Sequence, residues 1–279
     1  MTYVALTIAG SDSGGGAGIQ ADIKTFQELG VFGTSALTAI TAQNTQGVQA
    51  VQPVDAAIVQ AQIESVLSDF PVTAIKTGML FSAELIRTVA LALRSVPEVP
   101  LVIDPVMIAK GGTSLLQQEA VTALREELLP LATLVTPNLP EAEVLTGMTI
   151  DSPSDMEAAA EKLLKTGTST VLLKGGHRGD VPYAEDLFLS SDGQSFCLRS
   201  ERVRTADTHG TGCTFAAAIT AELAKGRSMT EAAVTAKHFI QRAIEDSLRL
   251  GSGHGPTNHA AYRIHGNLRE QEVEVIGKY

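Results

Sequence analysis

The residues best equipped for chemistry sit in one short stretch, TADTHGTGCTFAAAI, at positions 205–219. Gly210 and Gly212 flank Thr211, and two such glycines let a backbone turn tightly and come close to a ligand. The small-residue run that follows, with Phe215, Ile219 and Leu223 on one face, reads as a helix. The first turn of a helix carries backbone N–H groups without intrahelical partners, and the helix dipole adds positive potential there. Together these features make an anion site suited to a phosphate. Cys213 lies in the same turn, a position expected to lower its pKa and make the thiol a candidate base. The plainer alternative is a glycine-relaxed loop packing on a helix.

Other chemistry-bearing residues fall just beyond short apolar runs. Asp104 follows Leu101-Val102-Ile103, where an open α/β sheet keeps its ligands. Lys174 follows Val171-Leu172-Leu173 and precedes Gly175 and Gly176, which suits a phosphate contact. Asn138 and Glu141 have the spacing of an oxygen site for Mg²⁺. Alternatively, Pro140 and Glu141 simply start a helix, where acids are favoured. The Gln43 amide can match donors and acceptors on a heteroaromatic ring, unless its polar cluster is only a turn. Asp22 edges the stripe of Ile19, Ile23 and Phe26, as a ligand contact or a solvated carboxylate. Lys237 shares the apolar face of the last long helix and should point inward or toward a cleft. A phosphate cradle, metal-binding acids, a cation and a base candidate are what phosphoryl transfer requires. No Gly-Lys-Ser/Thr follows the GSDSGGGAG loop, so the chain reads as an ATP-dependent small-molecule kinase without a Walker loop.

The elements that carry these residues alternate. Strands are expected at 3–9, 73–76, 101–103, 133–135 and 171–173, and helices at 17–29, 55–68, 83–94, 117–128, 155–165 and 230–249. Residues 31–52 are strand-like with a polar interruption, and 184–190 with 195–198 read as a hairpin. The glycine-hinged segment 107–114 has the build of a flap, and the tail after the last helix reads as irregular. Such alternation implies one doubly wound α/β domain over residues 1–279. The net charge of −10 argues against nucleic-acid or anionic-membrane partners. Two cysteines make no disulfide framework, and no apolar run spans a bilayer, so a reducing cytoplasm is expected.

The motifs GSDSGGGAGIQADIKTF, TAQNTQGVQAV, KTGML, DPVMIAKGG, TPNLPEAEVLTG, LLKGGH and DTHGTGCTFAAAI occur in order across nearly the whole chain. In this they resemble the hydroxymethylpyrimidine/phosphomethylpyrimidine kinases of thiamine biosynthesis, within the ribokinase-like superfamily. The resemblance implies a central, mostly parallel sheet with helices on both faces and a small flap over the site. It implies ATP and Mg²⁺, two successive phosphorylations at one site, and a homodimer. Gly10, Asp22, Gln43, Met79 and Val106 then look like the pyrimidine pocket. Asn138, Lys174, Thr208 and Lys237 resemble nucleotide contacts, and Asn138, Glu141 and Asp104 the metal site. Gly210, Thr211, Gly212, Cys213 and Lys174 resemble the catalytic group, with cysteine where sugar kinases have aspartate. Such a base would serve the alcohol of the first step and not the ionised phosphate of the second. A pyridoxal kinase is the alternative, although Ile108-Ala109-Lys110 lacks the second flap cysteine of those relatives. A non-catalytic pyrimidine or nucleotide sensor is a further reading, disfavoured by the complete set of metal, cation and base candidates.

Overall fold

Strand β1 (Val4–Ala9) is buried along its whole length, as a strand covered on both faces must be. It is followed by α1 (Gly18–Glu28), β2 (Phe32–Leu37), β3 (Ala39–Asn44), β4 (Gly47–Pro53) and α2 (Ala56–Asp69). Then come β5 (Ala74–Thr77), α3 (Ala83–Leu93), β6 (Leu101–Ile103), α4 (Gln118–Ala123) with a wider turn Leu124–Leu128, β7 (Leu134–Val135), α5 (Leu139–Thr146) and α6 (Pro153–Leu164). The chain continues through β8 (Thr170–Lys174), β9 (Tyr183–Ser190), β10 (Ser195–Glu201), α7 (Thr211–Ala224), α8 (Met229–Glu245), α9 (Ala261–His265) and β11 (Val273–Ile276). This computed structural model describes residues 2–107, 118–176, 181–265 and 273–277.

Nine strands form one sheet in the order β11-β10-β9-β8-β7-β6-β5-β1-β2. Strands β2, β1, β5, β6, β7 and β8 run parallel, and β9, β10 and β11 continue antiparallel. Alternate residues of the central strands feed two cores. Ile8, Ile75, Ile103, Val135 and Leu173 pack in one cluster with α2 to α6. Ala5, Ala74, Val102, Leu134 and Leu172 face the other, which holds the apolar sides of α7 and α8. Each fully buried Leu or Ile contributes about 1.5–3 kcal/mol relative to exposure, so the strand ends that carry the site are firmly anchored.

The alternation of strand and helix matches the sequence reading, with two differences. The tail expected to be irregular contains α9 and β11, and β11 pairs with β10 to extend the sheet. The last long helix ends at Glu245, short of residue 249. The flap expected at 107–114 lies, apart from Met107, outside the described residues. A cover over the site comes from residues 31–52. Their second half folds back as the two-stranded sheet β3-β4, and its Thr41, Gln43, Val48 and Val51 line the cavity below.

Candidate active site

The carboxyl ends of the central strands, the first turn of α7 and the β3-β4 hairpin enclose a cavity of about 680 Å³. Gly10, Gln43, Met79, Asp104, Val106, Asn138, Glu141, Lys174, Thr208, Gly210, Thr211, Gly212, Cys213 and Lys237 all line it. Residues drawn from every part of the sequence thus converge, because a parallel sheet brings all its strand ends to one edge.

Helix α7 begins as an anion site should. Its N-cap Gly210 has φ +80° and makes no side-chain cap hydrogen bond, so the first-turn N–H groups have no capping side chain. A Cβ at Gly210 would lie 1.7 Å from the Gly16 carbonyl oxygen, so only glycine lets the two loops meet. At Gly212 a Cβ would come within 3.3 Å of Lys174 Nζ and 3.7 Å of an Asp104 oxygen. Glycine there keeps the helix start open to both groups.

Lys174 and Asp104 form an ion pair at 3.0 Å. Burial works against the Lys174 ammonium, but Asp104 and Glu141 outweigh it and hold its pKa above the ordinary value. Glu141 is pushed up to about 7, first by burial, with Lys174 opposing and Asp104 adding repulsion. Asn138 and Glu141 make a reciprocal capping box at the start of α5. Glu141 N–H donates to Asn138 Oδ1 at 2.9 Å and Asn138 N–H to Glu141 Oε2 at 2.8 Å. The helix-start reading of these residues is therefore realised. Each side chain thereby gives one oxygen to a backbone N–H of the other residue.

Two expectations change. Cys213 does not have a lowered pKa: burial drives the thiol up to about 12, and the nearby Lys76 charge offsets this only in part. The helix-start argument counted the dipole and could not see the desolvation. Asp22 does not line the cavity. It is fully buried, takes both bonds of Lys76 Nζ at 2.9 Å, and accepts from Thr7 Oγ1 at 2.6 Å. Lys237 reaches the cavity wall as its place on the apolar face implied, with its ammonium bonded to Asp186 at 2.7 Å and the Ala184 carbonyl at 3.1 Å.

Two site groups escaped the sequence reading. Lys76, fully buried in β5, lines the cavity. A lysine inside an otherwise buried strand was the available signal. The second group is the pair Asp12–His209, which ties the glycine-rich loop to the α7 loop. Asp12 accepts N–H bonds from Gly14, Gly16 and Ala17 and lies 2.8 Å from His209 Nε2. Burial would raise the Asp12 carboxyl, but His209 and these N–H groups keep it below its ordinary value. An ionised Asp12 makes His209 Nε2 the donor. The Gln43 amide nitrogen, 3.4 Å from the same atom, therefore gains no acceptor there and is available to a ligand.

The family profile for phosphomethylpyrimidine kinase matches residues 12–258. The chain belongs to this family. It is a phosphotransferase with the ribokinase-like fold. It is 56% identical over 259 residues to the hydroxymethylpyrimidine/phosphomethylpyrimidine kinase of Haemophilus influenzae, covering 92% of this chain and 96% of that one. Its identity to the enzyme of the same name from Bacillus subtilis is 53%, over 94% of this chain and 96% of the relative. An ADP complex of Bacillus subtilis pyridoxal kinase superposes with a TM-score of 0.88 at 44% identity, covering 95% of this chain and all of the other. Among the kinase's described residues no helix is long and apolar enough to cross a membrane.

Proposed function

We propose that this kinase, acting as a single domain, uses ATP to phosphorylate the hydroxymethyl group of 4-amino-5-hydroxymethyl-2-methylpyrimidine, and then phosphorylates the resulting monophosphate. The carrying observation is that one cavity joins the uncapped first turn of α7 to a wall of Gln43, Met79 and Val106. Gln43 reads the ring edge with its free amide, while Met79 and Val106 cover the ring faces. The transferring phosphoryl group meets the N–H groups of Gly210 to Cys213 and the Lys174 ammonium. The alcohol oxygen attacks phosphorus, and ADP leaves.

Mg²⁺ fits this site. Among the described residues no cluster of three or more His, Cys, Asp or Glu forms a metal site. Mg²⁺, however, takes only one or two carboxylates, with phosphates and waters completing its shell. Asp104 and Glu141 supply two carboxylates against one lysine, and their mutual repulsion leaves the charge a divalent cation relieves. These two residues would hold it, and it would neutralise charge on the phosphate oxygens.

The likeness to a pyridoxal kinase favours pyridoxal as a second acceptor. A cytoplasmic location agrees with two free cysteines. A homodimer agrees with the exposed Phe32, Ile40 and Ile58 on edge strand β2, on β3 and on α2. Purified protein incubated with ATP, Mg²⁺ and the hydroxymethylpyrimidine should yield ADP, then the mono- and diphosphate by mass spectrometry. ADP no higher than in an acceptor-free control, or higher only with pyridoxal, overturns the reading.

A further inference from the structure

After α8 the chain reads Gly251-Ser252-Gly253-His254-Gly255-Pro256, a composition that ends a helix and makes a loop. This loop lies against the tip of the β3-β4 hairpin, where Asn44 pairs with Gly47 and Thr45 and Gln46 make the turn. The His254 N–H donates to the Thr45 carbonyl at 2.8 Å, and the Gly253 N–H to Thr45 Oγ1 at 3.2 Å. Gln46 Nε2 donates to Ser252 Oγ at 2.6 Å. Glycine is needed for so close an approach. A Cβ at Gly253 would stand 2.1 Å from the Thr45 carbonyl oxygen, and one at Gly251, whose φ is +80°, 2.3 Å from Thr45 Oγ1. The same loop also grips the residues just ahead of α7. The Ser247 hydroxyl donates to the Asp207 carboxylate, and His254 Nδ1 meets the Ala206 carbonyl at 3.3 Å. The His209 N–H donates to the Gly255 carbonyl at 3.0 Å, and the Thr257 N–H to the His209 carbonyl at 3.3 Å. No residue of 247–257 lines the cavity itself.

We propose that segment 247–257 is a strap, with Thr45 and Gly251 as positioning residues, that fixes the distance between the ring-reading Gln43 and the anion site at the start of α7. This rests on the reading that Gln43 holds the acceptor ring. The hairpin belongs to its own two-stranded sheet, so the ladder of the main sheet does not hold it. Ser13 holds the Gln43 backbone from the side of the glycine-rich loop, its hydroxyl donating to the Gln43 carbonyl and accepting from the Gln43 N–H. The strap takes the tip, two residues further on, from the other side. Its second set of bonds ends on 206–209, immediately before Gly210, so one short loop spans from the acceptor wall to the phosphate cradle. Phosphoryl transfer makes that span matter. The attacking oxygen must lie about 3–3.5 Å from phosphorus, and a misplacement of about 1 Å costs up to about 10²-fold. A hairpin held on one side only would pivot by that much, and the strap removes this freedom.

The test is Gly251→Ala. The added Cβ would meet Thr45 Cβ at 2.9 Å, a contact that no rotation of the threonine relieves. Carbon atoms settle at about 3.5–4.0 Å, so strap and tip must part by roughly 0.6–1 Å. The expected result is a first-step kcat/KM for the hydroxymethylpyrimidine at least about tenfold lower, with ATP KM within about twofold of wild type. Gly226→Ala controls for backbone strain, since Gly226 has φ +78° and nothing within 4 Å of its Cβ position. A Gly251→Ala enzyme within about threefold of wild type, or one that loses no more than Gly226→Ala, overturns the assignment. Thr45→Gly removes the three atoms nearest to a Cβ at Gly251. In that background Gly251→Ala should change kcat/KM by less than about threefold, and an undiminished loss overturns the assignment. A second measurement needs no variant. Saturating the wild type with the hydroxymethylpyrimidine should slow amide hydrogen exchange in 249–256 as well as in 40–48, although only the latter reaches the cavity. Unchanged exchange in 249–256, in an enzyme that turns the acceptor over, overturns the assignment. A wild type that fails to phosphorylate the hydroxymethylpyrimidine at all refutes instead the acceptor reading on which the strap's role rests.

Discussion

Cys213 offers the most direct test of how the first phosphorylation works. With its thiol near pKa 12, only about one molecule in 10⁵ carries a thiolate at pH 7. A positioned general base contributes about 10²–10⁴-fold, so a base this scarce contributes nothing net at neutral pH. The structure therefore leads to a neutral thiol that lines the site. Two outcomes follow. First-step kcat should be flat across the range where a thiolate would accumulate, roughly pH 8 to 10. Cys213→Ser, which keeps a small hydrogen-bonding group, should retain both half-reactions within about tenfold. The assay is rapid quench with chromatographic separation of mono- and diphosphate, the second step started from the monophosphate. The refuting result is a first-step rate that climbs tenfold per pH unit and loses that climb in Cys213→Ser, with the second step unaffected. That pattern belongs to a thiolate base.

Other groups give independent checks. Gln43→Ala should weaken acceptor binding by about 1–3 kcal/mol while ATP KM stays put; an unchanged acceptor KM would remove Gln43 from the ring-reading role. Glu141→Gln keeps an oxygen for the Asn138 N–H and so should melt close to wild type, yet its Mg²⁺ requirement should rise at least about tenfold. A superimposable Mg²⁺ titration would discard the metal assignment. Buried His259 is held by burial at about 4, against 6.5 unfolded, with its Nε2 3.1 Å from Thr214 Oγ1. Below pH 6.5 the unfolded chain binds the proton that the folded chain refuses. The stability linked to this group is thus fully present above pH 6.5 and is lost as pH falls through 4, on the order of 3 kcal/mol in all. Denaturant titrations of wild type and His259→Gln between those pH values should diverge in this sense, and parallel curves would contradict it.

Much of this architecture is legible in the order of residue types. A three-residue apolar run followed by Asp104, or by Lys174 and two glycines, announces a strand end with chemistry on it, and the sheet delivers both to one cavity. What the sequence hides is where neighbours lie in depth. Cys213 looks activated when only its own helix turn is considered, and its burial reverses the sign. Asp22 is in the correct neighbourhood but one layer down, gripping Lys76 rather than a ligand. The Asp12–His209 contact spans 197 positions, and no local pattern links its halves. Strand β11 was missed because a four-residue edge strand owes its existence to β10 beside it.

The β3-β4 hairpin stands apart from the nine-stranded sheet and meets the glycine-rich loop through a few bonds. These run from Ser11 N–H to the Ala39 carbonyl, between Thr41 and Ser11, and between Ser13 and the Gln43 backbone. It supplies Thr41, Gln43, Val48 and Val51 to the cavity, whereas every group placed on the phosphates comes from the sheet and α7. One side of the proposed acceptor pocket is therefore mounted on the hairpin, while its other walls, Met79 and Val106, stand at the ends of β5 and β6 beside the phosphate groups. Replacing the hairpin between Leu37 and Val54 should alter how the acceptor is held while leaving the groups at the start of α7 in place.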